Sequence, residues 1–143
     1  MTVARILANK GRDVATTQPH RTLKEVADLL AARNIGAVVI ADIQGSVLGI
    51  LSERDIVRAI GTRGAAALDD PASKHMTTRV ITAKEEDTVL ATVETMNAGH
   101  FRHLPVITNG QLAGIVSIGD VVKFRLEEME REQVVMREYI ASV

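Results

Sequence analysis

Gly49-Ile-Leu-Ser-Glu-Arg-Asp55 returns later in the chain as Gly114-Ile-Val-Ser-Ile-Gly-Asp120, and the match extends well beyond the string. Upstream, Thr22-Leu23 aligns with Thr88-Val89, Leu30 with Met96, Ile35 with Phe101 and Ile40 with Val106, all at one offset. From Gly45 and Gly110 onward the offset is one residue shorter. That places a single deletion in the connecting turn, where length changes are tolerated. The 143-residue chain is therefore a tandem duplication. Neither half is large enough to bury much apolar surface alone, so the two are expected to pack on each other around one core. The expected halves are residues 1–66 and 67–143, the second carrying the connector and a C-terminal helix.

Each copy has the same order of elements. Leu23, Val26, Ala27 and Leu30 recur at helical spacing and predict a helix over Leu23–Arg33, with its counterpart over Val89–Ala98. β-rich runs follow at Ala37–Ala41 and His103–Ile107, then turns at Gly45 and Asn109-Gly110, then second runs at Val47–Leu51 and Leu112–Val116. A second helix begins near Asp55 and near Asp120, and short strands are expected ahead of each unit, at Asp13–Ala15 and Arg79–Thr82. Asp70-Pro71 reads as an N-cap with proline in the first helical position. The fold class is α/β in the α+β sense: two tandem β-α-β-β-α repeats packed pseudo-symmetrically.

Two roles fit the Ser-x-x-Asp spacing. Ser52 with Asp55, and Ser117 with Asp120, have the separation of a capping box, in which Ser occupies the N-cap and the acid N3. The same strand-to-helix junction exposes backbone N–H groups, and a carboxylate there can accept both hydroxyls of a ribose. Gly49 and Gly114 lack side chains, which would let a ligand approach the strand. One serine can serve as cap and contact together.

Composition narrows the chemistry. Seventeen Lys and Arg against eighteen Asp and Glu leave a net charge of −1, without the basic excess of a polyanion binder. Aromatic residues are 2%, namely Phe101, Phe124 and Tyr139, so the stacking platforms of single-strand binders are missing and nucleic acid is not an expected partner. Any planar ligand would have to be held mostly by aliphatic side chains. The absence of cysteine removes thiolate nucleophiles and thiolate metal sites. His100 and His103 point differently from a strand-leading segment, so no metal site is expected. Without a signal-like or membrane-spanning apolar run, the expected location is the cytoplasm, with no membrane partner.

The repeat, together with its paired Gly-x-x-Ser-x-x-Asp strings and the run RHLPVITNGQLAGIVSIGDVV, resembles a pair of CBS domains, a Bateman module, from about Val3 to Lys123. It is similar to stand-alone CBS pairs carrying ERD and SIGDVV strings. The resemblance implies a non-catalytic regulator that binds AMP, ATP, NAD(H) or S-adenosylmethionine between its repeats and forms disc-like homodimers. By position it implies that Asp55 and Asp120 hold ribose hydroxyls of two sites, with Ser52 and Ser117 on sugar or first phosphate. Backbone groups of Gly36, Ala37 and Val38, and of His103 and Leu104, would face the adenine edge, with Pro105 also among the ligand contacts. The base would be sandwiched by aliphatic side chains near Ile35, Val38 and Ile50, or near Ile81, Leu104 and Ile115. Thr17 (or Thr16) and Thr82 match a threonine found before the first long helix. Arg102-His103 falls where related modules place phosphate-binding residues, in the reverse order, whereas the first copy has Gly36-Ala37. Arg54 is either a surface residue or a second phosphate contact.

Beyond the repeat, Val122, Leu126, Met129, Gln133, Met136 and Ile140 form a heptad-like stripe. It packs either on its own domain or on a second subunit. Two other functions remain in play: an enzyme of nucleotide metabolism, related to the CBS pairs inside IMP dehydrogenase, and a ligand-free dimerisation scaffold. A regulator with no attached effector domain would have to signal to an unknown protein in trans.

Overall fold

The computed structural model describes residues 1–142. The first repeat contains β1 (Thr16–Thr17), α2 (Leu23–Arg33), β2 (Ala37–Ala41), β3 (Val47–Ser52) and α3 (Glu53–Arg63), preceded by α1 (Val3–Lys10). A 3₁₀ segment (Gly64–Asp69) and the short α4 (Ala72–His75) connect it to α5 (Val89–Gly99), β4 (His103–Thr108), β5 (Gln111–Ser117) and α6 (Ile118–Ala141). The expected β-α-β-β-α duplication is thus present, within a mixed α+β fold.

Local chemistry fixes these boundaries. Thr22 and Glu25 form a complete capping box at the start of α2, and Thr88 Oγ1 accepts from Ala91 N at 3.0 Å at the start of α5. Both helices end on a residue in the left-handed region, Asn34 and His100. β2 pairs antiparallel with β3, β4 pairs likewise with β5, and β1 runs parallel to β2. The leading strands sit slightly later than expected, at Thr16–Thr17. In the second copy the strand reduces to one parallel bridge between Ala83 and Val106.

The expected single core is instead two clusters. One gathers Leu23, Val26, Leu30, Val38, Ile40, Leu51 and Ile56 with Ala67 and Ala72 from the connector. The other gathers Val89, Met96, Leu104, Val106, Val116, Val121 and Phe124 with Val3, Ile6 and Leu7 of α1. Each repeat is therefore completed by a segment from the other half's sequence. Burying three aliphatic side chains of α1 at roughly 1.5–3 kcal/mol each fastens the N-terminus to the second repeat. Backbone bonds add to this: Val3 N donates to Asp87 O and Ala4 N to Glu85 O, both at 2.9 Å. Reciprocally, Thr77 exchanges backbone hydrogen bonds with Ile50 of β3 at 2.9 and 3.0 Å.

These crossings explain the repeated glycines. A Cβ on Gly49 would lie 2.7 Å from Met76 Sδ and 2.8 Å from the Thr77 carbonyl oxygen, and one on Gly114 would lie 2.7 Å from Leu7 Cδ2. The space at Gly49 and Gly114 is filled by protein. It does not admit a ligand.

Asp70 is also not the helix cap that Asp70-Pro71 suggested. Pro71 occupies the N-cap position of α4, and the Asp70 side chain turns to Arg63, accepting from Nε at 2.9 Å and Nη2 at 3.0 Å. His75 Nε2 lies 2.7 Å away on the other side. Hydrogen bonding to His75, then to Arg63, holds this carboxyl below the usual carboxylate range. A depressed folded-state value means stability that is complete above the unfolded value of ~4 and lost as pH falls below it. Asp70→Asn should therefore lower Tm at pH 7 and flatten the acid limb of the Tm–pH profile between pH 5 and pH 2. An unchanged acid limb would contradict this role.

Candidate functional site

A cleft of about 240 Å³ lies between the repeats. From the first repeat it takes Gly36, Ile50 of β3, and Ser52, Glu53, Arg54, Asp55 and Arg58 at the start of α3. The second repeat contributes Thr77 and the run Arg79-Val80-Ile81, the segment Gly99–His103 that leads into β4, and Pro105. Apolar walls of Ile50, Val80, Ile81, Phe101 and Pro105 thus face a rim of arginines and histidines.

Asp55 is held in a closed capping box. Its Oδ2 accepts from Ser52 N at 2.9 Å and from Ser52 Oγ at 3.0 Å, while Asp55 N donates back to Ser52 Oγ at 3.3 Å. The capping role is therefore real. It uses one carboxylate oxygen, and Oδ1 makes no hydrogen bond among the described residues. The side chain is fixed in orientation with one acceptor left over, at the edge of a cleft it lines.

The second Ser-Asp pair is built alike but is already engaged. Ser117 N donates to Asp120 Oδ2 at 2.9 Å, and Asp120 N donates to Ser117 Oγ at 3.0 Å. Lys10 at the end of α1 then donates to the same Asp120 Oδ2 at 2.6 Å and to the Ile115 carbonyl at 2.8 Å. Burial works against the Asp120 carboxylate, but Lys10 and the Ser117 N–H outweigh it and hold the carboxyl below its ordinary range. Between the two pairs stands half-buried His103, whose Cε1 and Nε2 would lie 3.3 Å from a Cβ at Gly36. Burial lowers its pKa, against the opposing pull of Asp120 and Glu53.

Of the residues expected from sequence, Gly36, Ser52, Arg54, Asp55, Arg102, His103 and Pro105 line one cleft. Ala37, Val38 and Leu104 are buried in their strands. Thr17, Thr82, Ser117 and Asp120 lie outside the lining, and Asp120 pairs with Lys10 instead. The two expected aliphatic groups are regrouped, since Ile50 and Ile81 share one cleft and an aromatic ring, Phe101, joins them. Arg58 and Arg79 escaped the sequence reading. Arg58 was available from spacing, being four residues after Arg54 on one helix face. Arg79 was not, because only the chain crossing at Thr77 brings it in.

A duplicated β-α-β-β-α unit with a cleft between its copies defines a paired-repeat module. The CBS domain family model matches residues 4–62 and 72–127, and the chain belongs to that family. It is 48% identical to the CBS-domain containing protein ATU1752 from Agrobacterium tumefaciens, with a TM-score of 0.86 over 87% of this chain and 99% of that one. The CBS domain protein PAE2072 from Pyrobaculum aerophilum, solved complexed with AMP, is 31% identical with a TM-score of 0.74, over 84% of this chain and 89% of that one. The CBS domain pair of protein MJ0100, solved with 5′-methylthioadenosine and S-adenosyl-L-methionine, is 25% identical with a TM-score of 0.80, over 90% and 98%. Among the described residues, no helix is long and apolar enough to cross a membrane.

Proposed function

We propose that this protein is a non-catalytic cytoplasmic regulator that binds one adenosine-containing ligand, of the AMP, ATP or NAD(H) class, in the cleft at Asp55. The observation that carries this reading is the fixed Asp55 carboxylate, with its spare oxygen, at the edge of a cleft walled by Ile50, Val80 and Ile81. Ribose hydroxyls would donate to Asp55, and the base would lie between the aliphatic walls. The AMP complex of PAE2072 and the two adenosine-type ligands of MJ0100 support the ligand class. Because both repeats line the cleft, a ligand bridging them would favour one inter-repeat angle over others, a population shift read by another protein in trans. Calorimetry against an adenosine panel tests the proposal, with chromatography of the recovered ligand. Saturable binding and intact ligand are expected. Turnover would mean an enzyme, and no binding would leave the scaffold reading.

We further propose a homodimer joined through α6. Beyond Phe124 this helix buries no apolar side chain on its own chain: Leu126, Met136, Tyr139 and Ile140 are 55, 58, 67 and 66% exposed. A stripe repeating at heptad spacing is suited to pairing with its own copy. Leu126→Glu combined with Met136→Glu should convert the dimer to a folded monomer in light-scattering chromatography, at unchanged far-UV circular dichroism. A mass that stays the same would remove α6 from the interface.

A further inference from the structure

The cleft's charge points to a narrower ligand class, and this inference rests on the adenosine reading above. Arg54, Arg58, Arg79 and Arg102 all line it, and none of the four has an ion-pair partner among the described residues. The lining acids are Glu53 and Asp55, the latter already tied to its cap. In a chain of net charge −1, this is a concentrated positive field at the mouth of one cleft.

The duplication supplies an internal control. Strand register makes His103 the counterpart of Ala37, and Ser117 that of Ser52, since each faces the same partner in its hairpin. On that register Arg54, Arg58, Arg79 and Arg102 correspond to Gly119, Lys123, Asp13 and Gly36. Only one of the four charges is kept at the matching position of the other copy, as Lys123, and one is reversed, as Asp13. These four arginines are gathered, from both halves of the chain, on one side only.

We propose that the Asp55 cleft is selective for nucleoside di- and triphosphates, with the four guanidiniums holding the phosphate chain beyond the α position. Guanidinium forks bind phosphate oxygens through paired, charge-assisted hydrogen bonds, so each added phosphate gives them further acceptors. An uncharged ligand such as adenosine offers them none, and the sulfonium of S-adenosylmethionine is repelled.

The test is calorimetric titration of the full chain with adenosine, AMP, ADP, ATP, S-adenosylmethionine and inorganic tripolyphosphate, repeated for Arg58→Gln and Arg79→Gln. ATP and ADP should bind on the order of tenfold or more tighter than AMP, and each variant should erase most of that gap while leaving adenosine affinity alone. Equal affinity for AMP and ATP, or a gap unchanged in both variants, would overturn the polyphosphate assignment and leave the adenosine reading standing. Tripolyphosphate binding as tightly as ATP, with adenosine not binding, would overturn the adenosine reading alone. Binding of none of these compounds would overturn both.

Discussion

Asp55→Ala should abolish the rise in Tm that an adenosine nucleotide produces, while Asp120→Ala should leave that rise intact. At a ligand concentration of 100 Kd, binding to the folded state alone contributes ~2.7 kcal/mol, or roughly 5–10 °C for a domain of this size. Two charge-assisted hydrogen bonds to ribose hydroxyls, each worth about 1.5–3 kcal/mol, account for most of such an affinity. Their loss weakens binding by on the order of a hundredfold or more. Removing the Asp55 carboxylate also breaks the return bond of the α3 capping box, at a cost of about 1 kcal/mol, so the unliganded Tm falls by a few degrees. Asp120→Ala carries that capping cost plus the loss of the Lys10 ion pair, without the loss of ligand, because Lys10 already engages that carboxylate. The pair of variants therefore separates capping from binding within one molecule. Equal loss of the ligand effect in both would mean two equivalent sites and would refute the asymmetry.

The second large effect concerns the crossing segments. Gly49→Ala should destabilise the fold by about 2–3 kcal/mol, and Gly114→Ala by distinctly less. Both new methyl groups arrive 2.7 Å from a neighbour, but the neighbours differ. At Gly114 it is the far end of Leu7, which can change rotamer. At Gly49 the methyl also meets the Thr77 carbonyl oxygen at 2.8 Å, a backbone atom fixed by its hydrogen bond from Ile50 N. Urea unfolding of the two variants measures the difference, and equal losses would contradict it. A weakened Thr77 crossing should also loosen the cleft, since Arg79, Val80 and Ile81 follow directly on it.

The contrast between these residues shows how far the sequence could be read. Periodicity and capping chemistry are local, so α2 was legible to the residue from Leu23 to Arg33, as was the role of Ser52 with Asp55 at the head of α3. The resemblance further named Asp55, Arg102 and His103 as ligand contacts, but only the structure brings the three into one cleft. What stayed hidden was which apolar face meets which. The stripe Val3, Ile6, Leu7 says only that α1 buries one side; nothing local says that the side belongs to the second repeat. For the same reason Ile50 and Ile81 read as members of different sites, and Thr17 and Thr82 as part of a lining that the structure builds without them. Each difference comes from treating the halves as self-contained. Gly49 and Gly114 were read as openings for a ligand because a missing side chain does not reveal what fills its place.

The exchange of segments bears on where such a chain came from and how it comes apart. An N-terminal arm seated on the far half, answered by a central arm seated on the near half, is the arrangement two identical single-repeat subunits would adopt by trading their leading segments. Fusion through the Gly64–Asp69 connector turns that trade into one continuous thread, and each half then carries the other's latch. Neither latch can open without exposing the neighbour's interior, so the two halves should lose their structure together, in one transition.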